Sequence, residues 1–178
     1  KFQINAKTVG SKLKIDEKTI ELENIKTQIS LNSLVNNEFS LKNLDISTKS
    51  LEIKNLVSFI RNFRNSTELF LLEKVVKKGY LISDIRIEFD NQGKIKKNYI
   101  INGILKETEF SFLKKYKFKD VDLIFDIQND IINLKDIKFS LNDTPLLSEK
   151  IIFKNFDQSF LIDGFIENRN SVLNEKTI

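Results

Sequence analysis

The chain has no cysteine, histidine, methionine or tryptophan, and only one proline and five glycines in 178 residues. Without cysteine there is no disulfide, no thiolate nucleophile and no cysteine metal site. Without histidine the commonest general base, the usual triad partner and the commonest transition-metal ligand are gone. Few catalytic designs survive both losses, and the composition points away from an enzyme. Long apolar runs are lacking as well. The longest is Leu69-Phe70-Leu71-Leu72, whereas a membrane-spanning helix needs about 20 apolar residues. Neither sign of charge dominates: 29 basic and 25 acidic residues leave +4. The signs are interspersed, as in Asp84, Arg86 and Glu88, which suits a solvated outer face. With no methionine and a start on strand-like residues, Phe2-Gln3-Ile4-Asn5-Ala6, the chain is expected to be a piece of a longer protein, so an upstream signal or anchor can have been lost.

What is present is alternation. Ile85-Arg86-Ile87-Glu88-Phe89 and Val121-Asp122-Leu123-Ile124-Phe125-Asp126-Ile127 each place apolar side chains on one face of a strand and polar ones on the other. The same period runs through Leu13/Ile15, Ile20/Leu22, Ile29/Leu31, Phe39/Leu41, Leu44/Ile46 and Leu51/Ile53, giving about six expected strands in residues 1–54. Asp16-Glu17 and Asn36-Asn37 read as turns. The period then changes. Leu56, Phe59, Ile60 and Phe63 lie at i, i+3, i+4, i+7, one helix face. Asn65 with Glu68 reads as a cap and its return partner. Leu69, Leu72, Val75 and Val76 form a second stripe. Lys74, Lys77 and Lys78 suit a helix C-terminus, and Gly79 a stop. A helix–turn–helix insert is therefore expected over 55–78. Arg61 and Arg64 fall at its turn and not along a recognition face, which argues against reading DNA.

Strands resume over 79–167. Asn91-Gln92-Gly93, Asn129-Asp130 and Asn142-Asp143-Thr144-Pro145 are turn signals; residues 106–112 are ambiguous; 168–178 read as a frayed tail. A short pattern recurs: Leu41-Lys42-Asn43-Leu44-Asp45-Ile46-Ser47 matches Leu134-Lys135-Asp136-Ile137-Lys138-Phe139-Ser140, with Phe118-Lys119-Asp120-Val121-Asp122-Leu123 a looser copy. An Asn or Asp beside an apolar residue tolerates a bulge or tight bend, after which alternation restarts in register.

Candidate sites are few. Asp84, Glu88 and Asp90 could pair as glycosidase carboxylates, but they follow the polar phase of one strand. Asp126, Asn129 and Asp130 could ligate calcium, yet no calcium-loop motif surrounds them. The run Lys114-Lys115-Tyr116-Lys117-Phe118-Lys119 could bind a nucleic-acid strand or lipid headgroups, or could be a charged strand edge that blocks aggregation. Of these, headgroup or surface contact by Lys114, Lys115, Lys117 and Lys119 is retained. No nucleic-acid partner, catalytic residue, metal ligand or cofactor is nominated. The better candidate is the apolar face itself, with its fifteen phenylalanines. A dozen strands would curl or split into two sheets. Packing into a closed β-sandwich is the commoner fate; a groove that accepts lipid is the other.

The stretch from Val76-Lys77-Lys78-Gly79-Tyr80 through Asn91-Gln92-Gly93-Lys94-Ile95 resembles the AsmA-like family, which includes TamB-type proteins. So do Tyr99-Ile100-Ile101-Asn102-Gly103, Phe118 to Leu123, Leu134 to Ser140 and Phe160 to Gly164. The resemblance covers residues 40–166 and brings no catalytic residue. It implies a long, curved, taco-shaped antiparallel β-meander with an apolar groove. It also implies a bacterial envelope protein, anchored in the inner membrane and extending through the periplasm, whose groove lets phospholipids pass between membranes. Residues 55–78 would be a helical cap or insert. At 178 residues the chain would be one segment of such a groove, since it cannot cross a periplasm alone. Its partners would be phospholipid acyl chains, and membrane or envelope proteins through the rest of the protein. The expected lipid-facing residues are Ile85, Ile87, Phe89, Ile101, Leu105, Leu123, Phe125, Ile127, Phe139 and Leu141. A closed β-sandwich serving as a structural or interaction module, without lipid, is the alternative.

Overall fold

The computed structural model describes residues 2–15, 18–62, 67–113, 115–129, 131–156 and 159–168. Among them the chain forms one open antiparallel sheet of eleven strands and three helices. The strands are β1 Gln3–Val9, β2 Lys12–Ile15, β3 Lys18–Ser30, β4 Leu41–Thr48, β5 Leu51–Glu52, β6 Val76–Glu88, β7 Ile100–Phe112, β8 Tyr116–Gln128, β9 Ile131–Leu141, β10 Thr144–Phe156 and β11 Ser159–Gly164. The helices are α1 Leu31–Val35, α2 Ile53–Arg61 and α3 Thr67–Val75. The main path runs β1-β3-β4-β6-β7-β8-β9-β10-β11; β2 prolongs β1 along β3, and β5 prolongs β4 along β6. From β6 to β11 each strand pairs with its neighbour in sequence, as short connections dictate, while β1 pairs with β3 and β4 with β6 across the short strands β2 and β5. The expected curved meander is the fold. The strands do not split into the two packed sheets of a closed sandwich.

Bulges run across this sheet in a line. Relative to their neighbours, an extra residue enters β3 between Leu22 and Asn24 and the sheet path between Ser47 and Leu51. Further ones enter β6 near Lys77, β7 at Lys106-Glu107, β8 at Lys119-Asp120 and β9 at Lys135-Asp136. Glu107, Asp120 and Asp136 adopt φ of +50°, +51° and +50°. Two consecutive polar side chains thus fall outside, and the apolar residues on either side, Leu134 and Ile137 for example, return to one face. A bulge raises the local twist and bends the strand, so an aligned set bends the whole sheet. The recurring pattern marks two of these places: Asp120 and Asp136 sit at the bulges of two copies, whereas the remaining copy carries a bulge between Leu41 and Asn43, at the opposite end of β4 from the line.

Helices α2 and α3 lie on the apolar face. Phe59 of α2 packs on Ile20 and Leu22 of β3, and Ile53 and Val57 pack with Val76, against Leu69, Leu81 and Leu105. A third cluster, Val121, Leu123 and Ile137, sits on β8 and β9 with Phe110, Phe118, Phe125, Leu134 and Phe139 around it.

Several sequence expectations change. Ile29 belongs to the long strand β3, and Leu31 opens α1, a helix the alternation hid; the Ser30 hydroxyl accepts the Ser33 N–H at its start, 3.3 Å away. Ile53 begins α2 and does not end a strand. The second helix stops at Val75, so Val76, Lys77, Lys78 and Gly79 belong to β6, where Val76 and Lys78 pair with Phe110 and Glu109. Gly79 is no helix stop. At φ +139° it lets β6 pass under the insert, where a Cβ would lie 2.8 Å from the Thr108 Cα and 2.9 Å from the Ile53 side chain. Residues 106–112 are strand, with the bulge at Glu107 causing the ambiguity. The Asn142-Asp143 turn has both φ positive, as a two-residue hairpin loop requires. Asn65, Asp16-Glu17, Asp130 and the tail 169–178 lie outside the described residues.

Candidate functional site: an apolar face crossed by an isoleucine row

Register sets what this face looks like. Ile25 of β3 is opposite Ile46 of β4, which is opposite Ile85, then Ile101, Ile127, Ile132, Phe153 and Ile162 on the following strands. Direct cross-strand partners share a face. Seven isoleucines and one phenylalanine thus form an unbroken row over eight adjacent strands. At about 4.8 Å per strand the row is about 34 Å long. The residues from Ile25 to Phe153 are half-buried, and Ile162, on the edge strand, is 60% exposed.

Toward the bulge line the face closes. Leu51, Leu81, Leu105 and Leu123 make a second row, covered in part by α2. Phe125 folds over Gly103 so closely that a Cβ there would come within 2.4 Å of the Phe125 ring and 2.5 Å of the Ile82 carbonyl. Beyond the bulges Phe110 stacks on Phe118 (centroids 4.4 Å apart), and Phe118 meets Phe139 at 5.9 Å. At the opposite end Phe39 lies against Phe89, 5.5 Å between rings. Hydroxyls buried on this face turn into the sheet. The Ser83 N–H donates to the Thr48 hydroxyl (2.8 Å), and the Ser83 hydroxyl donates to the Asn102 carbonyl (2.9 Å). The Thr108 and Ser148 hydroxyls donate to the Lys106 and Lys150 carbonyls. The face therefore offers apolar contact and few polar groups with which to distinguish one headgroup from another.

All ten expected lipid-facing residues fall on this one face. They do not form one surface of equal depth. Leu123 is buried, and Leu105, Phe125 and Phe139 pack around it or its neighbours. Ile85, Ile101 and Ile127 belong to the half-buried row, with Ile87 and Phe89 at its flank, whereas Leu141 lies beyond the bulge line, opposite Phe118. The sequence did not show that Ile25, Ile46 and Ile132 complete the row, because alternation gives a face but not a register. The basic run is not a strand edge: β8 lies between β7 and β9. Lys117 and Lys119 are turned away from the apolar row and alternate with the inward-facing Phe118. Lys119 is bound to Asp143 at 2.7 Å, and that carboxylate holds the Lys119 pKa above its usual value. Lys115 sits in the β7–β8 turn over the Tyr116 ring, 5.2 Å from its centroid; Lys114 lies outside the described residues.

The polar face carries the acidic candidates. Glu88 receives Lys96 at 3.3 Å, with hydrogen bonds from Asn98 and Lys96 lowering its pKa. Asp90 caps its own turn by accepting the Gln92 and Lys94 N–H groups, which lower its pKa. Shallow recesses of about 720 and 380 Å³ also open on this face, lined by residues such as Lys42, Asp90 and Lys96 in the first and Lys26, Asp45 and Arg86 in the second. Among the described residues no three acidic side chains gather as a metal site, and no helix is long and apolar enough to cross a membrane. Compared with protein-family models, with curated proteins and with solved structures, the chain matches none of them.

Proposed function

We propose that this chain is a segment of a β-groove that holds phospholipid acyl chains on its apolar face, within a protein that carries lipid between the inner and outer membranes of a bacterial envelope. The observation that carries the reading is the isoleucine row. It is continuous over eight strands and half-buried, with no second sheet over it among the described residues. The row is about 34 Å long, and half of a bilayer's hydrocarbon core is about 15 Å, so acyl chains fit along it end to end. Burial on it removes apolar area from water at about 25 cal/mol per Å². The binding is passive and chemically undemanding, because the buried hydroxyls are turned into the sheet. The periplasmic setting and the inner-membrane anchor come from the resemblance to the AsmA-like family and stand with it.

Native mass spectrometry of the purified chain, followed by organic extraction, tests the reading. Co-purified phospholipid at reproducible stoichiometry is the expected result. A lipid-free protein that also takes up none when mixed with detergent-solubilised phospholipid would overturn it.

A further inference from the structure

The net charge of this chain is not spread evenly along the sequence. Residues 53–80 contain six cations, Lys54, Arg61, Arg64, Lys74, Lys77 and Lys78, against two anions, Glu68 and Glu73. That excess of four equals the +4 of the whole chain, and the remainder holds 23 of each sign. Four of these cations and both anions lie on the helical insert, and Lys77 and Lys78 follow it directly on the first residues of β6. The insert's second helix, Thr-Glu-Leu-Phe-Leu-Leu-Glu-Lys-Val, is apolar on both sides. Leu69 packs inward toward Ile53, Val57 and Val76. Phe70, Leu71 and Leu72, three in succession, stay 43%, 54% and 43% exposed, and Ile60 of α2 is 37% exposed. A helix apolar all round is normally enclosed by protein or lipid. Two cations flank the exposed patch at Phe70: the Arg61 guanidinium lies 5.3 Å and the Lys74 ammonium 5.5 Å from the centroid of its ring. Glu73 is ion-paired with Arg61.

We propose that the α2–α3 hairpin, with the adjoining start of β6, docks on an anionic bilayer surface, inserting Phe70, Leu71 and Leu72 among the lipids while Lys74, Lys54 and, from β6, Lys77 meet the headgroup charge. The combination of an apolar patch and a basic rim is what an interfacial helix uses, and each component strengthens the other. A second copy of the chain would match the apolar patch but would set like charge against like. The hairpin sits on the same face as the isoleucine row, with Leu81 beneath it and Ile85 about 13 Å further along β6. Docking there brings the row to the membrane from which chains are loaded. The role of the contact rests on the acyl-chain reading; the contact itself does not.

The test is co-sedimentation of the purified chain with phosphatidylcholine vesicles and with vesicles that also contain phosphatidylglycerol. Leu71→Glu and the double variant Lys74→Glu/Lys77→Glu are run alongside, with circular dichroism as the check on folding. The expected result is binding to the anionic vesicles that weakens with salt, and far less binding to neutral ones. Leu71→Glu abolishes it, and each lysine reversed costs fivefold or more, about 1 kcal/mol per basic residue at an anionic surface. Wild-type protein that ignores anionic vesicles, or folded variants that bind like wild type, would overturn the proposal. So would a concentration-dependent dimer that Leu71→Glu dissociates, since the patch would then be filled by a second copy. Uptake of detergent-solubilised phospholipid separates the two readings. Leu71→Glu is expected to take up lipid normally while failing to dock. A protein that docks but takes up no lipid would sink the groove and leave the docking intact.

Discussion

The two ends of the apolar face differ in what covers them. Toward the bulge line, aliphatic side chains are roofed by α2 on one half of the sheet and by Phe110, Phe118 and Phe139 on the other. Four residues away along β6, neither roof reaches Ile85, and only the β3–β4 end of the isoleucine row, Ile25 and Ile46, packs against the cluster that holds Phe59 of α2. Both ends obey the same alternation and are made of the same residue types. The difference lies in the bulges, which bend the strands, and in the position of the helical insert. An apolar face is thus part core and part surface, and periodicity does not divide it.

Substitutions at the two ends should separate these roles. The largest effect is expected at Leu123, 8% exposed and enclosed by its cluster. Leu123→Ala should lower stability by about 2–5 kcal/mol, as loss of a buried leucine does, seen as an earlier urea midpoint. In the row, the paired change Ile85→Thr with Ile101→Thr keeps β-branched residues suited to strands and removes apolar area. It should cost less than about 2 kcal/mol and reduce phospholipid occupancy several-fold by mass spectrometry. A double variant as unstable as Leu123→Ala would make the row ordinary core and erase the contrast. A smaller effect tests the bulges. Asp136 holds φ +50°, a conformation costing a β-branched residue about 1–2 kcal/mol. Asp136→Val should lose that much, and Asp136→Gly little. Asn43, in the matching place of another copy, is not among the positive-φ residues, and Asn43→Val should not show the same loss.

Much of the sheet was legible because a pleated strand imposes a period of two on any chain that buries one face. Asp120 and Asp136 of the recurring pattern marked bulges because short polar side chains tolerate left-handed backbone. Other features are set by contacts distant in sequence. Gly79 reads as a helix stop until Thr108 and Ile53 are seen against it. A charged strand edge is one reading of Lys117 and Lys119 until β9 is placed beside β8. The ten groove candidates were legible as a face, whereas the depth of each depends on which residue of the next strand lies opposite, and composition carries no register.

The smallest expected effect concerns the polar side of the bulge line. The Asp122 carboxylate accepts the Lys106 ammonium at 2.7 Å and the Glu107 N–H at 2.9 Å, clasping the β7 bulge to β8. Its pKa lies below the ordinary 3.8, mainly through the Lys106 hydrogen bond and then the Glu107 N–H, against a partial loss of hydration. A carboxyl group more acidic in the folded chain than in the unfolded one stabilises the fold above its unfolded pKa. That contribution disappears as pH falls through the depressed folded value. Stability should therefore decline below about pH 4 by an increment that Asp122→Asn removes, since the amide oxygen can still accept from Glu107 but does not titrate. With Lys106 57% and Asp122 31% exposed, the increment should stay below about 1 kcal/mol and shrink further in high salt. Denaturation midpoints at pH 6 and pH 3 for both proteins measure it. Parallel curves would mean that backbone geometry holds the bulge without help from this ion pair, and that the left-handed residues alone bend the sheet.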